Sequence, residues 1–263
     1  MATINVVVHG ALGKMGQEVL RTVTNAEDMT PVGGADGRAE PGSLALPDGA
    51  GIVQVSNVLA DMLENAHVVV DFSSAAGAME VMRTTAAGKV NVVIGSTGLS
   101  QENYDEAESL ANEHQVGIII APNFALGAVV MIHLAKEAAS FFEYADLTEM
   151  HHEAKIDAPS GTAIATAERM AAASADWAPD PTTRVVMAGA RGAAGPADIR
   201  IHSLRMRGAV ADQEVVLGTD GQTLSIRHDT IDRGSFMPGV VLAVRRIAGI
   251  PGLTVGLDVL LGI

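Results

Sequence analysis

The 263-residue chain carries 17 basic and 31 acidic residues, for a formal net charge of −14 at pH 7, and contains no cysteine. The acidic balance argues against a nucleic-acid partner, which would need clustered lysines and arginines to replace phosphate counterions, and the lack of cysteine excludes disulfides and thiolate chemistry. Hydrophobic residues form 48% of the chain, but no run reaches the roughly eighteen apolar residues that span a bilayer, so we expect a cytoplasmic globular protein of two domains.

The first half of the chain alternates short apolar runs with segments of helical periodicity. The runs are near-continuous in apolar residues, as strands covered on both faces are. They are at residues 4–10, 67–73, 91–97 and 116–123, with a further strand at 29–36. The helical segments are at residues 14–25, 75–87 and 100–114, where Ser100 suits an N-cap. This alternation predicts βαβ units and a parallel sheet.

From about Leu126 the pattern changes. The expected elements are an alanine-rich helix over 126–144, a strand over 145–151, a helix from Ser160 or Gly161, and an apolar helix over 235–250 with Pro238 in its first turn. Segments that alternate apolar and polar residues, as half-exposed antiparallel strands do, lie at 198–205, 213–218 and 222–230. Gly218 to Gly221 is a hairpin-turn signal.

A glycine-rich turn, GALGKMG, lies between the first strand and the first helix. Gly10, Gly13 and Gly16 recur every three residues, which departs from the commoner G-x-G-x-x-G. Such glycines let the backbone approach a pyrophosphate, whose charge the N-terminus of the following helix favours. The alternative is a turn in which glycine serves only close packing.

Asp36 follows the second strand, where an acidic residue would meet the ribose hydroxyls of a dinucleotide. The alternative is a solvated turn aspartate, because Asp-Gly is also a turn dipeptide. Arg38 could stack on adenine or pair with a 2′-phosphate, so both NADH and NADPH stay open, with Asp36 favouring NADH. GSTG at 95–98 and APNFALG at 121–127 also follow strands and would line the same crevice.

The stretch EMHHEAKIDAPSGTA, residues 149–163, concentrates titratable side chains. His151 ends a strand, Lys155 follows it, and Ser160-Gly161-Thr162 opens a helix whose free amides suit a carboxylate. Two alternatives stay open: a core histidine beside a solvated one, and a zinc site. Zinc would need a further ligand such as His202 or His228, and the chain has no H-E-x-x-H spacing.

This stretch is similar to the signature of the 4-hydroxy-tetrahydrodipicolinate reductases, also called dihydrodipicolinate reductases, of bacterial diaminopimelate and lysine synthesis. The resemblance extends over nearly the whole chain, through HGALGKMG, VVVDFSS, IGSTGLS, APNFALG, HSLRMRG and GLTVGLDVLLGI. Serine replaces the family's commoner threonine in DFSS and GSTG, which keeps a hydroxyl. Ala211-Asp212-Gln213 stands where the family often has Gly-Glu-His, which puts peripheral contacts in doubt.

The resemblance implies an α/β fold with a Rossmann-like doubly wound parallel sheet, plus an α+β substrate and oligomerisation domain with an open mixed sheet. Residues 1–123 and 235–263 would form the dinucleotide-binding domain, to which the final helix returns. Residues 124–234 would bind substrate and form a homotetramer. No nucleic acid, membrane or metal is implied as a partner.

The implied activity is NAD(P)H-dependent reduction of a cyclic, hydroxylated imine dicarboxylate, with loss of water, hydride addition at ring C4 and protonation. His151 would donate and accept the proton and Lys155 would donate one. The substrate carboxylates would contact His152, Gly161 and Thr162. Cofactor contacts would fall on Gly10, Ala11, Leu12, Gly13, Lys14, Met15, Asp36, Arg38, Gly95, Ser96, Thr97, Ala121, Pro122, Asn123 and Phe124.

Two rival functions remain at this point. A hydrolase could use Ser160 with His151 or His152, although Ser160 lacks the G-x-S-x-G context of a nucleophile elbow. A dinucleotide-sensing regulator could keep the nucleotide fold without catalysis. The sequence leaves the roles of Glu149, Glu153 and Asp157 undetermined between orienting the histidines and supporting the turn.

Overall fold

The computed structural model describes residues 3–263, which form two compact units. The first unit contains the chain up to Phe124 together with Phe236–Ile263, and the second is Ala125–Ser235. Within the described residues, no helix is long and apolar enough to cross a membrane. The substrate-binding and tetramer-forming roles expected of the second domain stay predictions.

The strands and helices are numbered in chain order. The strands are β1 Ile4–His9, β2 Met29–Ala35, β3 Gly42–Ala45, β4 Ile52–Ser56, β5 Val68–Asp71, β6 Asn91–Ile94, β7 Gly117–Ile120, β8 Tyr144–His151, β9 Ala193–Ala194, β10 Arg200–Arg205, β11 Ala211–Thr219, β12 Gln222–Asp229 and β13 Gly252–Val255. The α-helices are α1 Lys14–Asn25, α2 Ala75–Ala87, α3 Gln101–His114, α4 Leu126–Ala139, α5 Gly161–Ala173, α6 Met237–Ile247 and α7 Leu257–Leu261. Short 3₁₀ helices cover Pro47–Gly49, Leu59–Met62, Pro196–Asp198 and Arg233–Phe236.

The sheet of the first unit has the strand order β13-β7-β6-β5-β1-β2-β4-β3. Its strands pair in parallel except for β3, which is antiparallel to β4. The chain builds outward from β1 to β2 and then returns to place β5 on the other side of β1. This reversal is the topological switch point beside which doubly wound sheets bind ligands, at the carboxyl ends of the strands. The predicted Rossmann-like sheet is confirmed.

The central strands are continuous apolar runs because both of their faces are covered. Val6–Val8, Val68–Val70, Val92–Ile94 and Ile118–Ile120 are all fully or almost fully buried. Helices α1 and α2 have the predicted bounds. Ser100 caps α3 with a reciprocal capping box, in which its side chain and that of Asn103 each bind the other's backbone amide.

Helix α6, the apolar helix predicted near the C-terminus, lies in the first unit and packs against α1. Pro238 is in its first turn, as the sequence predicts, because the missing amide hydrogen is not needed there. Arg245, in the last turn, pairs with Asp28 through two hydrogen bonds of 2.8 and 3.0 Å.

The second unit has a mixed sheet of order β12-β11-β8-β10-β9, with one face buried against helices. Leu147, Ile201, Val215 and Leu217 point to that face and pack in one cluster with Met170 of α5. Strands β11 and β12 form the predicted antiparallel hairpin. The sheet is mixed, because β8 pairs in parallel with β10 and antiparallel with β11. Leu204 and Val216 on the opposite face are more than a third exposed, so the predicted open mixed sheet is confirmed.

Two expectations for this unit are wrong. The segment containing β10 was expected to be antiparallel, but β10 runs parallel to β8, because α5 and the segment after it carry the chain back across the sheet. Alternation of polar and apolar residues reports a half-exposed strand and not its direction. Helix α4 ends at Ala139 rather than Tyr144, since Tyr144 pairs with Gly218 as the first residue of β8.

Candidate active site

The glycine-rich turn has the backbone that a pyrophosphate site requires. Gly10 has φ +76°, which side-chain-bearing residues rarely adopt, and a Cβ at Gly16 would collide with the carbonyl oxygen of Gly10. Gly13 is the N-cap of α1 and offers no side-chain acceptor to the first amides of the helix. The turn therefore fits a phosphate-bearing dinucleotide.

Asp36 lies directly beside this turn. Its carboxylate accepts a hydrogen bond from the Leu12 amide at 3.1 Å and two from the Arg38 guanidinium at 3.0 Å each. The Arg38 hydrogen bonds lower the pKa of Asp36 more than its burial raises it, so the carboxylate is ionised at neutral pH. Asp36 is 5% exposed, whereas the Arg38 side chain is 70% exposed and free to meet solvent or a ligand on its outer side.

A buried polar cluster that the sequence reasoning missed ties three of the turns together. The fully buried Asp71 accepts hydrogen bonds from Ser96 Oγ at 2.7 Å and pairs with His9 Nδ1 at 2.6 Å. Ser96 Oγ also accepts from the Ser73 amide at 2.9 Å. The signal was present in the sequence, since His9 and Asp71 are polar residues that end two otherwise apolar strands.

The two other loops of the predicted cofactor site meet at the same edge of the sheet. The rings of Phe72 and Phe124 are 5.6 Å apart between centroids, and Gly95 lies against Phe72 so closely that a Cβ would overlap the ring. Ala121 is buried and its amide donates to the Ile94 carbonyl at 3.1 Å. Lys14, Met15, Thr97, Pro122 and Asn123 lie in the same turns or directly beside them.

The titratable stretch of the second unit is organised around Glu149. This residue is fully buried on β8, two residues before His151, so strand alternation directs both side chains to one face. Glu149 Oε2 lies 2.5 Å from His151 Nδ1, and Arg205 donates to both carboxylate oxygens at 3.0 Å. Glu149 Oε1 also accepts from the Ser160 amide at 3.3 Å.

Glu149 is ionised despite its burial. Desolvation raises its pKa, but hydrogen bonds from Arg205, Ser203 and His151 together outweigh it and hold the pKa below the ordinary value. Arg205 is the neighbour that sequence reasoning passed over. Its position on the adjacent strand, opposite His151 in register, could not be read from the sequence without knowing that β10 is parallel to β8.

Lys155 lies in the loop that joins β8 to α5. Its ammonium contacts both carboxylate oxygens of Asp157 at 2.8 Å, and this pairing is the main cause that lowers the pKa of Asp157. The Lys155 amide donates to the His152 carbonyl at 3.1 Å, which closes a turn. Glu153 instead points to Arg207, whose Nε donates to it at 3.1 Å.

Helix α5 begins where the sequence predicts. Ser160 is its N-cap, and the hydroxyl accepts from the Ala163 amide at 3.1 Å. Gly161 is exposed and Thr162 half-buried in the first turn. Behind this turn, Gln213 donates to Thr166 Oγ1 at 2.8 Å, and Thr166 donates to the Thr162 carbonyl at 2.7 Å. Gln213 thus supports the helix start from behind.

The geometry argues against a hydrolase that uses Ser160 as its nucleophile. It also does not bring the histidines considered above together as zinc ligands. Ser160 is buried, and its hydroxyl serves as a helix cap rather than facing a histidine. His202 Nε2 contacts Asp146 at 3.3 Å. Across residues 3–263, no group of three or more histidine and carboxylate side chains is arranged to hold a metal.

Comparison with known proteins decides the family. The family model for the N-terminus of dihydrodipicolinate reductase matches residues 4–124, and the model for its C-terminus matches residues 127–261. The chain belongs to the dihydrodipicolinate reductase family. The family resemblance noted in the sequence is therefore confirmed, and the two models together cover both compact units.

Individual members of the family match over their full length. The 4-hydroxy-tetrahydrodipicolinate reductase of Dehalococcoides mccartyi is 48% identical, with 99% of each chain covered. The enzyme of that name from Moorella thermoacetica is 46% identical, again with 99% of each chain covered. The dipicolinate-bound dihydrodipicolinate reductase of Paenisporosarcina sp. TG-14 superposes with a TM-score of 0.86 at 36% identity, covering 97% of this chain and 98% of that one.

Proposed function

We propose that this protein is an NAD(P)H-dependent 4-hydroxy-tetrahydrodipicolinate reductase of the diaminopimelate route to lysine. The observation that carries the proposal is the constellation in the second unit of a family member: His151 held by a buried carboxylate, Lys155 in the adjoining loop, and the capped start of α5. In the net reaction, the hydroxylated imine, NAD(P)H and a proton give tetrahydrodipicolinate, NAD(P)⁺ and water.

The first unit has the features of a dinucleotide-binding domain. The cofactor would be held by the glycine turn at 10–15, by Asp36 and Arg38, and by the loops at 95–97 and 121–124. When bound, the reduced nicotinamide supplies the hydride that adds at ring C4 of the dehydrated substrate. The buried cluster of Asp71, His9 and Ser96 links the turns that follow β1, β5 and β6 by hydrogen bonds and so fixes their relative positions.

The second unit supplies the proton donors of the reaction and a positive charge beside the substrate. After hydride addition the substrate is an enamine that must take up a proton, and His151 is suited because an imidazole donates and is recharged near neutral pH. Lys155 supplies a second proton donor and a positive charge. Loss of the C4 hydroxyl as water takes up a proton at that oxygen and releases one from the adjacent ring carbon, so groups that can both donate and accept a proton fit the chemistry.

Binding of a dicarboxylate requires local positive charge in a chain of net charge −14. Lys155, His152 and the amides of Gly161 and Thr162 would provide it, the last two because helix N-termini favour anions. The competing partner of Lys155 is Asp157, whose side chain is 59% exposed. The Lys155 side chain is 20% exposed, so the pair is open to solvent mainly on its carboxylate side, where a substrate carboxylate can replace Asp157.

Both cofactors fit the Asp36–Arg38 pair, and we propose dual use with NADH favoured. Asp36 offers its carboxylate to ribose hydroxyls, which favours NADH. Arg38 is bidentate to that carboxylate, yet its largely exposed side chain can swing to a 2′-phosphate, which permits NADPH. The proposed location is the cytoplasm.

A homotetramer is proposed for the assembly, formed through the uncovered face of the second sheet. That face exposes Leu204 and Val216 beside the polar side chains of Thr148 and Arg227. A β-sheet face with apolar side chains and no covering layer is typical of a face buried by association.

The deciding experiment follows the absorbance of NADH and NADPH in parallel, with substrate generated in situ by the synthase that precedes this step. Oxidation of both cofactors, with the lower KM for NADH, is the expected outcome. Oxidation of neither would reject the reductase assignment. Tight NADH binding without oxidation would instead favour a dinucleotide-sensing regulator.

A further inference from the structure

The His151 ring is held by one buried carboxylate, and that carboxylate is itself held by Arg205, the Ser203 side chain and the Ser160 amide. Glu149 Oε2 accepts from His151 and from Arg205, while Oε1 accepts from Arg205 and from the Ser160 amide. Glu149 is fully buried, while the side chains of His151 and Arg205 are 17% and 21% exposed. The histidine therefore has a buried side facing Glu149 and an open side.

The protonation state of Glu149 decides which nitrogen of His151 carries hydrogen. An ionised carboxylate can only accept hydrogen bonds, and a guanidinium can only donate them. Arg205 compensates the buried charge, so Glu149 remains an acceptor and Nδ1 must be the donor. Within residues 3–263, the hydrogen bonds of the His151 ring involve Nδ1 alone.

We propose that Glu149, clamped by Arg205, is a positioning residue that keeps the hydrogen of neutral His151 on Nδ1 and so makes Nε2 the atom that exchanges a proton with substrate. The inference rests on the proposed reductase function for its kinetic consequence but not for the tautomer itself. The backbone reinforces the arrangement, because the Met206 amide donates to the His151 carbonyl at 2.8 Å.

The Glu149→Gln variant should reverse the tautomer. Both partners of Oε1, Arg205 and the Ser160 amide, can only donate, whereas His151 Nδ1 at Oε2 can also accept. The single carbonyl oxygen of glutamine will therefore take the Oε1 place, at the cost of the Arg205 contact to Oε2. Its amide group then faces Nδ1 and donates to it, which moves the ring hydrogen to Nε2. The conservative Glu149→Asp variant keeps an ionised acceptor and should retain the Nδ1–H tautomer.

The direct test is long-range ¹H–¹⁵N NMR of the full chain labelled with ¹⁵N-histidine, above the pH at which the imidazole titrates. The His151 signals are assigned from their loss in His151→Asn. We expect a protonated Nδ1 in the wild type and in Glu149→Asp, and a protonated Nε2 in Glu149→Gln. A wild-type spectrum with Nε2 protonated would overturn the inference, as would an unchanged tautomer in Glu149→Gln.

Kinetics separate positioning from a merely structural ion pair. In Glu149→Gln, kcat should fall by about 10²- to 10⁴-fold, the usual contribution of a positioned acid or base, with the KM for NADH unchanged and partial rescue in Glu149→Asp. The matched control is Glu153→Gln, which removes an exposed carboxylate that also pairs with an arginine, Arg207, but does not contact His151. Equal losses in Glu149→Gln and Glu153→Gln would contradict the proposal. If the wild type oxidises no cofactor, the proposed function fails while the NMR spectrum still tests the tautomer.

Discussion

At the scale of single residues, the candidate site divides its charges by burial. Glu149 is fully buried and neutralised by Arg205, whereas Lys155 pairs with the exposed Asp157. A buried, hydrogen-bonded ion pair is costly to break because the remaining charge loses its partner in a desolvated place, while an exposed pair is readily exchanged. The Glu149–Arg205 pair is therefore suited to fixing the position of neighbouring side chains. The Lys155–Asp157 pair is suited to opening when a ligand carboxylate binds Lys155.

Lys155→Ala tests the role of the exchangeable charge. We expect turnover to fall by several orders of magnitude with NADH affinity almost unchanged, because the variant removes a proton donor and a carboxylate partner but touches none of the cofactor turns. The measurement is kcat with the dissociation constant of NADH from fluorescence. Lys136→Ala, on α4 beside Glu137, removes a paired surface lysine of the same unit and should leave kcat intact. Normal turnover in Lys155→Ala would remove this lysine from the mechanism.

Sequence alone identified most of the residues of the candidate site but not the groups that hold them. His151, Lys155 and the Ser160 cap could be found because they lie close together in the chain. Arg205 could not be found, since its contact joins two strands whose pairing is set by the tertiary fold. His9 and Asp71 stand out as polar ends of apolar strands, but their contact with each other depends on the same tertiary pairing. The roles left undetermined for Glu149 and Asp157 became definable once their partners were known.

At the scale of elements, α5 combines a stability role with a binding role at one end. Its Ser160 cap satisfies a first-turn amide, and the Gln213–Thr166–Thr162 series of hydrogen bonds supports the same turn from behind. The first turn is thus ordered independently of any ligand. Preorganised amides of this kind stabilise an anion without a further ordering cost.

Ser160→Ala should separate these two roles when compared with Ser100→Ala. Each substitution removes a helix N-cap and should destabilise the fold by about 1 kcal/mol, seen as a lower Tm. Only Ser160→Ala should also raise the substrate KM, by roughly fivefold, the equivalent of about 1 kcal/mol of lost preorganisation. Ser100 caps α3 in the other unit, so it controls for loss of stability alone. An equal change of KM in both variants would refute the binding role of the α5 start.

Element boundaries were predictable where local signals mark them. α1 and α2 follow a glycine turn and a serine cap, and both have the bounds that the sequence indicated. The end of α4 has no such signal, because its alanine-rich sequence favours helix on both sides of the observed boundary. The pairing of Tyr144 with Gly218 in the sheet sets where the helix must have ended. The direction of β10 depends on the crossover connection between β8 and β10, which the alternation of apolar and polar residues does not indicate.

At the scale of the whole molecule, the second sheet leaves one face without a covering layer among the described residues. Leu204 lies on this face, 39% exposed, next to Met150 in register. We expect Leu204→Glu to weaken the proposed tetramer, because a charge buried at an interface is strongly unfavourable. Sedimentation velocity measures the result, and Ile52→Glu, at an exposed position of the first unit, is the control. A monomeric wild type would contradict the assembly itself.

The pH dependence of stability follows from the carboxyls whose pKa is lowered by folding. These are Asp28, Asp36, Glu106, Glu149, Asp157 and Asp180. A lowered folded-state pKa adds stability that is fully present above the unfolded pKa of about 4 and is lost as the pH falls below it. We expect Tm to change little between pH 7 and 5, where these carboxyls are ionised in both the folded and the unfolded chain, and to drop steeply below about pH 4. A Tm that rises continuously down to pH 3 would show that the acidic self-repulsion dominates.

The contacts of Glu149 also define a loop with a closed base. The segment from His152 to Pro159 leaves the sheet after His151 and returns at Ser160, and both of these flanking residues are bonded to the same carboxylate. The loop can therefore vary in length and composition while its two ends keep their spacing. For protein engineering, this makes the loop a place to fit dicarboxylates of other sizes: the residues around His152 and Lys155 can be exchanged while these two side chains, His151 and the helix start are kept.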